Sequence, residues 1–378
     1  MNLQDLKKRI PMEDVIEEFC RLVRTDSHSG EEGDMSETVG SKLKELGFEV
    51  TKDDAGRHFG GNVGNIVGRL EGEKGLPPII LCAHMDRVAP GRKVVPVVSE
   101  ESIVSSGDTV LGADDVAGIV SILSGLRLAS DMGAKLRPVE VIFTASEENG
   151  LLGARYMDYS LVKSKMAYVF DGAKPVGTII TASPTHIRIK ADMKGRSAHA
   201  ANNPEDGISA IQLAAEAITR LPFGKIDEET TANIGVIEGG IDTNIVCERA
   251  MILGEVRSLV DERALDLASE FSEVFKNAAA ERGATAEVIL HTHYRCYKIP
   301  DEAPVVAHAV SALSALGMPA SIDSSMGGSD ANMFNANGIQ SVCLGMGFRQ
   351  VHSCREEMPI DELANAICLV YGLVTVKE

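Results

Sequence analysis

The feature that most constrains the fold is a rhythm. Short apolar runs of strand length alternate with helical stretches, and each run ends in acidic residues or histidine. Asn65–Leu70, Pro78–Met85, Val139–Thr144 and Met166–Phe170 have the length and composition of buried strands. Helical periodicity covers Met12–Arg24 and Ser36–Leu46, and a long helix of small residues is expected over Asp115–Ser130. This order predicts an α/β domain whose mixed, mainly parallel sheet is flanked by helices. In such sheets ligands gather at the carboxyl ends of the strands.

The rhythm changes after Gly177. Ser183–Lys194 alternates as an edge-type strand, and Pro204–Arg220 reads as a helix starting after Asn203. Strands over Ala232–Ile237 and Arg249–Arg257, a helix over Asp261–Glu281 and a strand over Ala286–Tyr294 complete a ferredoxin-like α+β order. From Asp301 the α/β pattern returns, with helices over Ala303–Leu316 and Glu362–Val374 and a strand over Gln340–Leu344. A chain of 378 residues has room for two domains. The expectation is one domain formed by residues 1–178 and 296–378, interrupted by an insert at 179–295.

Charge narrows the partners. There are 37 Lys and Arg against 55 Asp and Glu, a net charge of −18. An acidic surface repels phosphate backbones, so no nucleic-acid partner is expected. No apolar run has membrane-spanning length, so no membrane partner is expected either. The N-terminal segment reads as an amphipathic helix without the apolar core and cleavage site of a signal peptide, which places the protein in the cytoplasm. The seven cysteines are odd in number and lack CxxC spacing. That argues against a disulfide framework or a structural zinc knot, and none is given a catalytic role.

Chemistry concentrates at the element ends. In LCAHMDRV, His84 and Asp86 point the same way on an extended chain, so one can bind a metal while the other orients it. Alone, the motif equally describes a solvated loop. In VLGADDVAGIV, Asp114 and Asp115 either cap the next helix or hold a carboxylate rigidly enough to bridge two cations. In VIFTASEENG, Glu147 and Glu148 have no basic residue nearby in sequence and need solvent or metal. Asp171 ends MAYVFDG, and His352 lies in the polar loop GFRQVHSCREEM. Together these histidines and carboxylates are the donor set for Zn²⁺, with Co²⁺ or Mn²⁺ as substitutes. Neither GxSxG nor HExxH occurs, nor does a GxxxxGK(S/T) phosphate loop or a strand-borne GxGxxG. Metal-assisted hydrolysis is therefore the expected reaction class.

In this order, HMD, GADDVAG, ASEENG, VFDG, GRSAHA, GGSDAN and VHS resemble the dinuclear zinc peptidases. That clan includes peptidase T, aminoacylases, succinyl-diaminopimelate desuccinylase and glutamate carboxypeptidases. The match runs from His84 to His352, and the GADD and GGSDAN forms look closest to the peptidase T-like branch. The resemblance implies two divalent metal ions, one held by His84 and Asp171, the other by Glu148 and His352, with Asp115 bridging. Asp86 would orient His84, and Glu147 would act as general base. It also implies that the insert is a lid and dimerisation domain, hence a homodimer. There His199 would contact the oxyanion, within one chain or across the dimer. Asn244 and Arg257 match substrate-holding positions, although an ordinary salt bridge would equally explain Arg257. Gly328 and Ser329 would shape the pocket. One departure is Val116, where many relatives carry lysine; Cys354 and Arg355 receive no role.

The expected function is cleavage of short peptides, as in a tripeptide aminopeptidase. An N-acyl-amino-acid amidohydrolase or a carboxypeptidase would use the same ligands. A non-catalytic metal-binding protein would have lost a ligand or the base, and every such position is intact.

Overall fold

The computed structural model describes residues 2–376, and the chain divides into two compact units. The first comprises the chain up to Ala182, Ile299–Ser324 and the residues from Ser329 on; the second comprises Ser183–Lys298 and Ser325–Gly328. The insert was expected at 179–295, without the short Ser325–Gly328 segment.

The sheet of the first unit runs in the order Glu49–Lys52, Ile66–Leu70, Val139–Thr144, Ile79–His84, Met166–Gly172, Gln340–Gly345 and Thr178–Ser183. Its centre is parallel: Ile79–His84 pairs in parallel with both Val139–Thr144 and Met166–Gly172, and Gln340–Gly345 continues parallel to Met166–Gly172. The flanking pairs Glu49–Lys52 with Ile66–Leu70, and Ile66–Leu70 with Val139–Thr144, are antiparallel. Ile79–His84 and Val139–Thr144 are buried at every position. That is why, Glu140 apart, they read as apolar runs rather than alternating ones.

Helix Met12–Arg24 shows how sequence selects an element and its face. Val15, Phe19, Leu22 and Val23 recur at helical spacing and are all buried. Glu13 and Asp14 sit in the first turn and Arg21 and Arg24 in the last, complementing the helix dipole. The helix stops where Thr25 turns extended. It packs on helix Ala113–Asp131, which also contacts Ile79–His84 and helix Ile360–Val374. Phe19 is fully buried in the shared core with Phe143, Phe170 and Ile367, so truncating it to alanine should cost ~3–5 kcal/mol.

The second unit is an antiparallel sheet in the order Gly224–Asp227, Thr230–Gly239, Arg249–Ser258, Thr185–Lys194 and Thr285–Tyr294. Without the first short strand this is the ferredoxin-like arrangement. Helices Ala210–Ile218 and Asp261–Ala280 contribute Leu213, Phe271 and Phe275 to one core with Ile187 and Ile189. Two expectations are corrected. Thr185–Lys194 is an interior strand paired on both sides; its alternation reports one buried and one open face, not an edge. The α-helix begins only after Ser209, whose hydroxyl accepts the Gln212 N–H at 3.4 Å, while Pro204–Asp206 forms a separate single turn.

Candidate metal centre

The carboxyl ends of three parallel strands converge, as the fold class requires. Ile79–His84 ends in His84, Met166–Gly172 carries Asp171 near its end, and Val139–Thr144 leads into Glu147 and Glu148. The remaining residues come from two turns. Gly112 adopts φ +79, and a Cβ there would lie 3.1 Å from the Arg87 guanidinium, so glycine is required where the chain turns into Asp114. His352 is itself left-handed, at φ +59, a conformation a non-glycine residue keeps only when its surroundings enforce it.

His84 Nε2 lies 3.0 Å from Asp114 Oδ1 and 3.8 Å from Asp171 Oδ1. His352 Nε2 lies 3.0 Å from Glu148 Oε1 and 3.4 Å from Asp114 Oδ2. Two ligand groups result, His84–Asp114–Asp171 and Asp114–Glu148–His352, each with donor atoms within 4.8 Å of one another. They share Asp114. The third such group, His84–Glu147–Glu148, sets Glu147 against the same cluster. On the opposite edge of the His84 ring, Nδ1 lies 2.9 Å from the Asp86 carbonyl oxygen and 3.4 Å from its carboxylate. With the proton on Nδ1, Nε2 presents its lone pair to the cluster.

The structure thus brings together His84, Glu147, Glu148, Asp171 and His352 with Asp114, and not with Asp115. Asp115, expected there, turns away from the cluster. Its Oδ2 accepts the His84 backbone N–H at 3.1 Å and its Oδ1 accepts that of Gly118 at 3.1 Å. Its neighbour Asp114 holds the shared position. Val116, at the lysine position of many relatives, is buried in the core.

The electrostatics fit a cation. Burial drives the carboxyls of Glu147 and Asp171 well above the usual carboxylate range, and their acidic neighbours push further in that direction. His352 is raised to about 10 by its hydrogen bonds to Asp114 and Glu148. For His84 burial opposes the charge, but Asp114 and Asp86 outweigh it and raise its pKa. So many buried carboxylates cannot all ionise together without compensating positive charge. Two imidazoles and three or more carboxylates at these separations form a donor set suited to divalent cations.

Around the ligands lies a layer of acids of which the sequence reading gave a role only to Asp86. Asp86 is 1% exposed and accepts the N–H groups of Glu147 at 2.9 Å and Glu148 at 3.2 Å, plus the Ser29 hydroxyl at 2.5 Å. Fully buried Glu32 accepts the Ser146 N–H at 2.9 Å and its hydroxyl at 3.0 Å. Asp330, within the quoted GGSDAN, accepts the Thr144 hydroxyl at 2.5 Å and is raised to about 6, chiefly by burial. Glu356 belongs to this layer too. These acids bond to backbone or hydroxyl groups of sequence-distant segments, a pattern that no local motif encodes.

The remaining candidates lie mostly in the second unit. His199 Nδ1 accepts the Ala201 N–H at 3.1 Å and the Asn202 N–H at 3.2 Å, which leaves Nε2–H as an outward donor. Asn244 is held beside it through the Ala200 N–H to its carbonyl at 2.9 Å. Arg257 is engaged: Nε and Nη2 donate to the two Glu255 carboxylate oxygens at 2.9 and 3.2 Å, and Nη1 reaches the Tyr294 hydroxyl and the Met326 carbonyl, both at 3.3 Å. Arg257 is thus ion-paired with Glu255. A Cβ on Gly328 would stand 2.2 Å from the Tyr294 ring. Ser329, in the first unit, caps helix Asp330–Ala336 in a capping box with Asn332.

Residues 181–283 match the family described as Peptidase dimerisation domain, and residues 65–209 match Peptidase family M28. The uncharacterized protein YqjE of Bacillus subtilis is 39% identical over 360 residues, covering 95% of this chain and 97% of the relative. The crystal structure of aminopeptidase PepT from Bacillus cereus superposes with a TM-score of 0.88 at 38% identity, covering 97% of this chain and 98% of the other. A tripeptidase from Staphylococcus aureus superposes with a TM-score of 0.93 at 35% identity, with coverage of 97% and 98%. With identities at this level along nearly the full length, the chain belongs to the peptidase T-like family of metal-dependent peptidases.

Proposed function

We propose that this peptidase removes the amino-terminal residue of tripeptides and uses two divalent cations to do so. The observation that carries the reading is Asp114, whose two carboxylate oxygens face the histidines of two separate ligand groups. In this proposal His84 and Asp171 hold one ion, Glu148 and His352 the other, and Asp114 bridges. The donor set favours Zn²⁺, with Co²⁺ or Mn²⁺ able to replace it. Bound there, the ions supply an acidified water and polarise the scissile carbonyl. Glu147, which is buried against the ligands, takes the proton of the attacking water and returns it to the leaving amine. Asp86 keeps His84 in the tautomer that faces the site and pins the backbone on which Glu147 and Glu148 stand. The Nε2–H of His199 offers a hydrogen bond to the oxyanion. Arg257, which is ion-paired with Glu255, would hold a substrate carboxylate through its remaining guanidinium donors or in exchange for Glu255.

The inserted unit is proposed to pair two copies of the chain. Ile211, Ile237 and Ile241 are 43%, 51% and 89% exposed on it, apolar surface that a partner copy would cover. Seven free thiols suit a reducing compartment, and we place the enzyme in the cytoplasm. Among the described residues, no helix is long and apolar enough to cross a membrane.

The test combines metal analysis with hydrolysis of Ala-Ala-Ala, a dipeptide, an N-acetyl-amino acid and a peptide ending in glutamate. Two ions per chain and release of the first alanine support the reading. Cleavage confined to acylated or carboxy-terminal substrates would replace the tripeptide assignment. A monomer by light scattering at micromolar concentration would remove the dimer.

A further inference from the structure

Glu356 is 1% exposed and, among the described residues, forms no salt bridge, although its charge is felt by the Arg87 guanidinium. Its carboxylate instead accepts two backbone donors. Oε2 takes the Gly112 N–H at 2.8 Å and Oε1 takes the Asp114 N–H at 3.0 Å. Those donors belong to the turn that presents the shared carboxylate. Glu356 itself belongs to the loop that presents His352. That loop is closed at its base by reciprocal backbone bonds between Arg349 and Glu357, at 2.9 and 3.0 Å. Within it the Glu356 N–H bonds the Ser353 carbonyl at 3.0 Å. Just beyond, Glu357–Pro359 pairs with Ser102–Ser105 and so ties the base of the loop to a strand.

We infer that Glu356 is a positioning residue, which locks the His352 loop onto the Asp114 turn and so sets the separation of two ligands of one metal position. This rests on the dinuclear reading above. His84 and Asp171 stand on adjacent paired strands and keep their spacing without it. His352 and Asp114 share no strand pairing. They lie 3.4 Å apart at their ligand atoms, and the Glu356 carboxylate joins the two backbones. Removing it should therefore weaken the Asp114–Glu148–His352 position and leave His84–Asp114–Asp171 nearly intact.

Partners of this kind around a metal site are worth roughly 10–100-fold in affinity. The experiment is Co²⁺ titration of the chelator-stripped full chain, followed by calorimetry and visible absorption. The wild type, Glu356→Ala, Glu356→Gln and Glu140→Gln are compared. Glu140 is a control of similar burial, which also accepts backbone N–H groups, those of Lys163 and Ser164, and pairs with Arg69, but with none of its bonds to the ligand segments. The expected result is one of two binding steps weakened about 10–100-fold in Glu356→Ala. Glu356→Gln, which keeps one acceptor oxygen, should be intermediate, and Glu140→Gln should bind as the wild type. If Glu356→Ala does not fold, the Gln variant carries the comparison. Two unaltered steps in the Gln variant, or an equal loss of both steps that Glu140→Gln reproduces, would overturn the assignment. A wild type that binds fewer than two ions would overturn the dinuclear reading and this inference with it.

Discussion

Replacing Asp114 and Asp115 one at a time separates two adjacent carboxylates by what each one holds. Asp115→Ala removes the acceptor of two buried donors, the N–H groups of His84 and Gly118. An orphaned buried donor costs ~1–3 kcal/mol, so the two together cost roughly 2–6 kcal/mol. Relief of the carboxylate's own burial offsets part of this, which leaves about 2–4 kcal/mol of lost stability. Asp114→Ala removes no acceptor of a backbone donor but deletes the carboxylate that faces both histidines. Its metal affinity should fall by at least about 100-fold, since outer partners alone reach that figure. Urea denaturation in chelator gives the stability of each variant. Metal analysis after dialysis against buffered Zn²⁺ gives the occupancy. Asp115→Ala should be the less stable variant and still carry metal, while Asp114→Ala should be the more stable variant and come out empty. If Asp115→Ala loses both ions and Asp114→Ala retains them, the bridge has been assigned to the wrong residue.

Glu147→Gln should keep its metal and lose about 10²–10⁴-fold in kcat, the usual span for a general base; full turnover in this variant would remove Glu147 from the proton path. Chelation should abolish peptide hydrolysis and lower the melting temperature, and added Zn²⁺ or Co²⁺ should restore both; retained activity in chelator would contradict a metal mechanism. Gly328→Ala places a methyl against the Tyr294 ring and should cost ~1–3 kcal/mol, as overpacking does, read by urea denaturation. Glu255 is depressed to about 2, from an ordinary value of 4.5, by the His186 imidazole, whose Nε2 stands 3.0 Å from its Oε2, with the Arg257 pair adding to it. Its contribution is therefore complete above about 4.5 and fades as pH falls toward 2. Glu255→Gln should flatten the acid limb of the unfolding curve in that window, followed by circular dichroism.

The parallel sheet and four ligand-cluster residues were legible because burial on both faces writes strands as apolar runs, and a polar residue at the end of such a run stands out. His84, Glu147, Glu148 and Asp171 are of this kind. The choice between Asp114 and Asp115 was not legible, since both follow the same glycine and only the backbone path decides which carboxylate faces the histidines. Glu356 and Glu32 were hidden for another reason. Their partners are backbone N–H groups, which every residue but proline possesses, so no residue type on the far side marks the pairing. The interior place of Thr185–Lys194 was missed because side-chain alternation describes faces, whereas neighbours along the sheet are set by hydrogen bonds.

The two ligand groups are drawn very unevenly from the chain. His84, Asp114 and Asp171 all precede the inserted unit, whereas His352 and its brace Glu356 follow it. On the ribosome the whole first group and Glu148 emerge before the inserted unit, and His352 only after it. A nascent chain that has not yet passed the inserted unit therefore cannot assemble both ligand groups. A truncated translation product ending before His352 would be a half-site at most, unable to digest peptides around it.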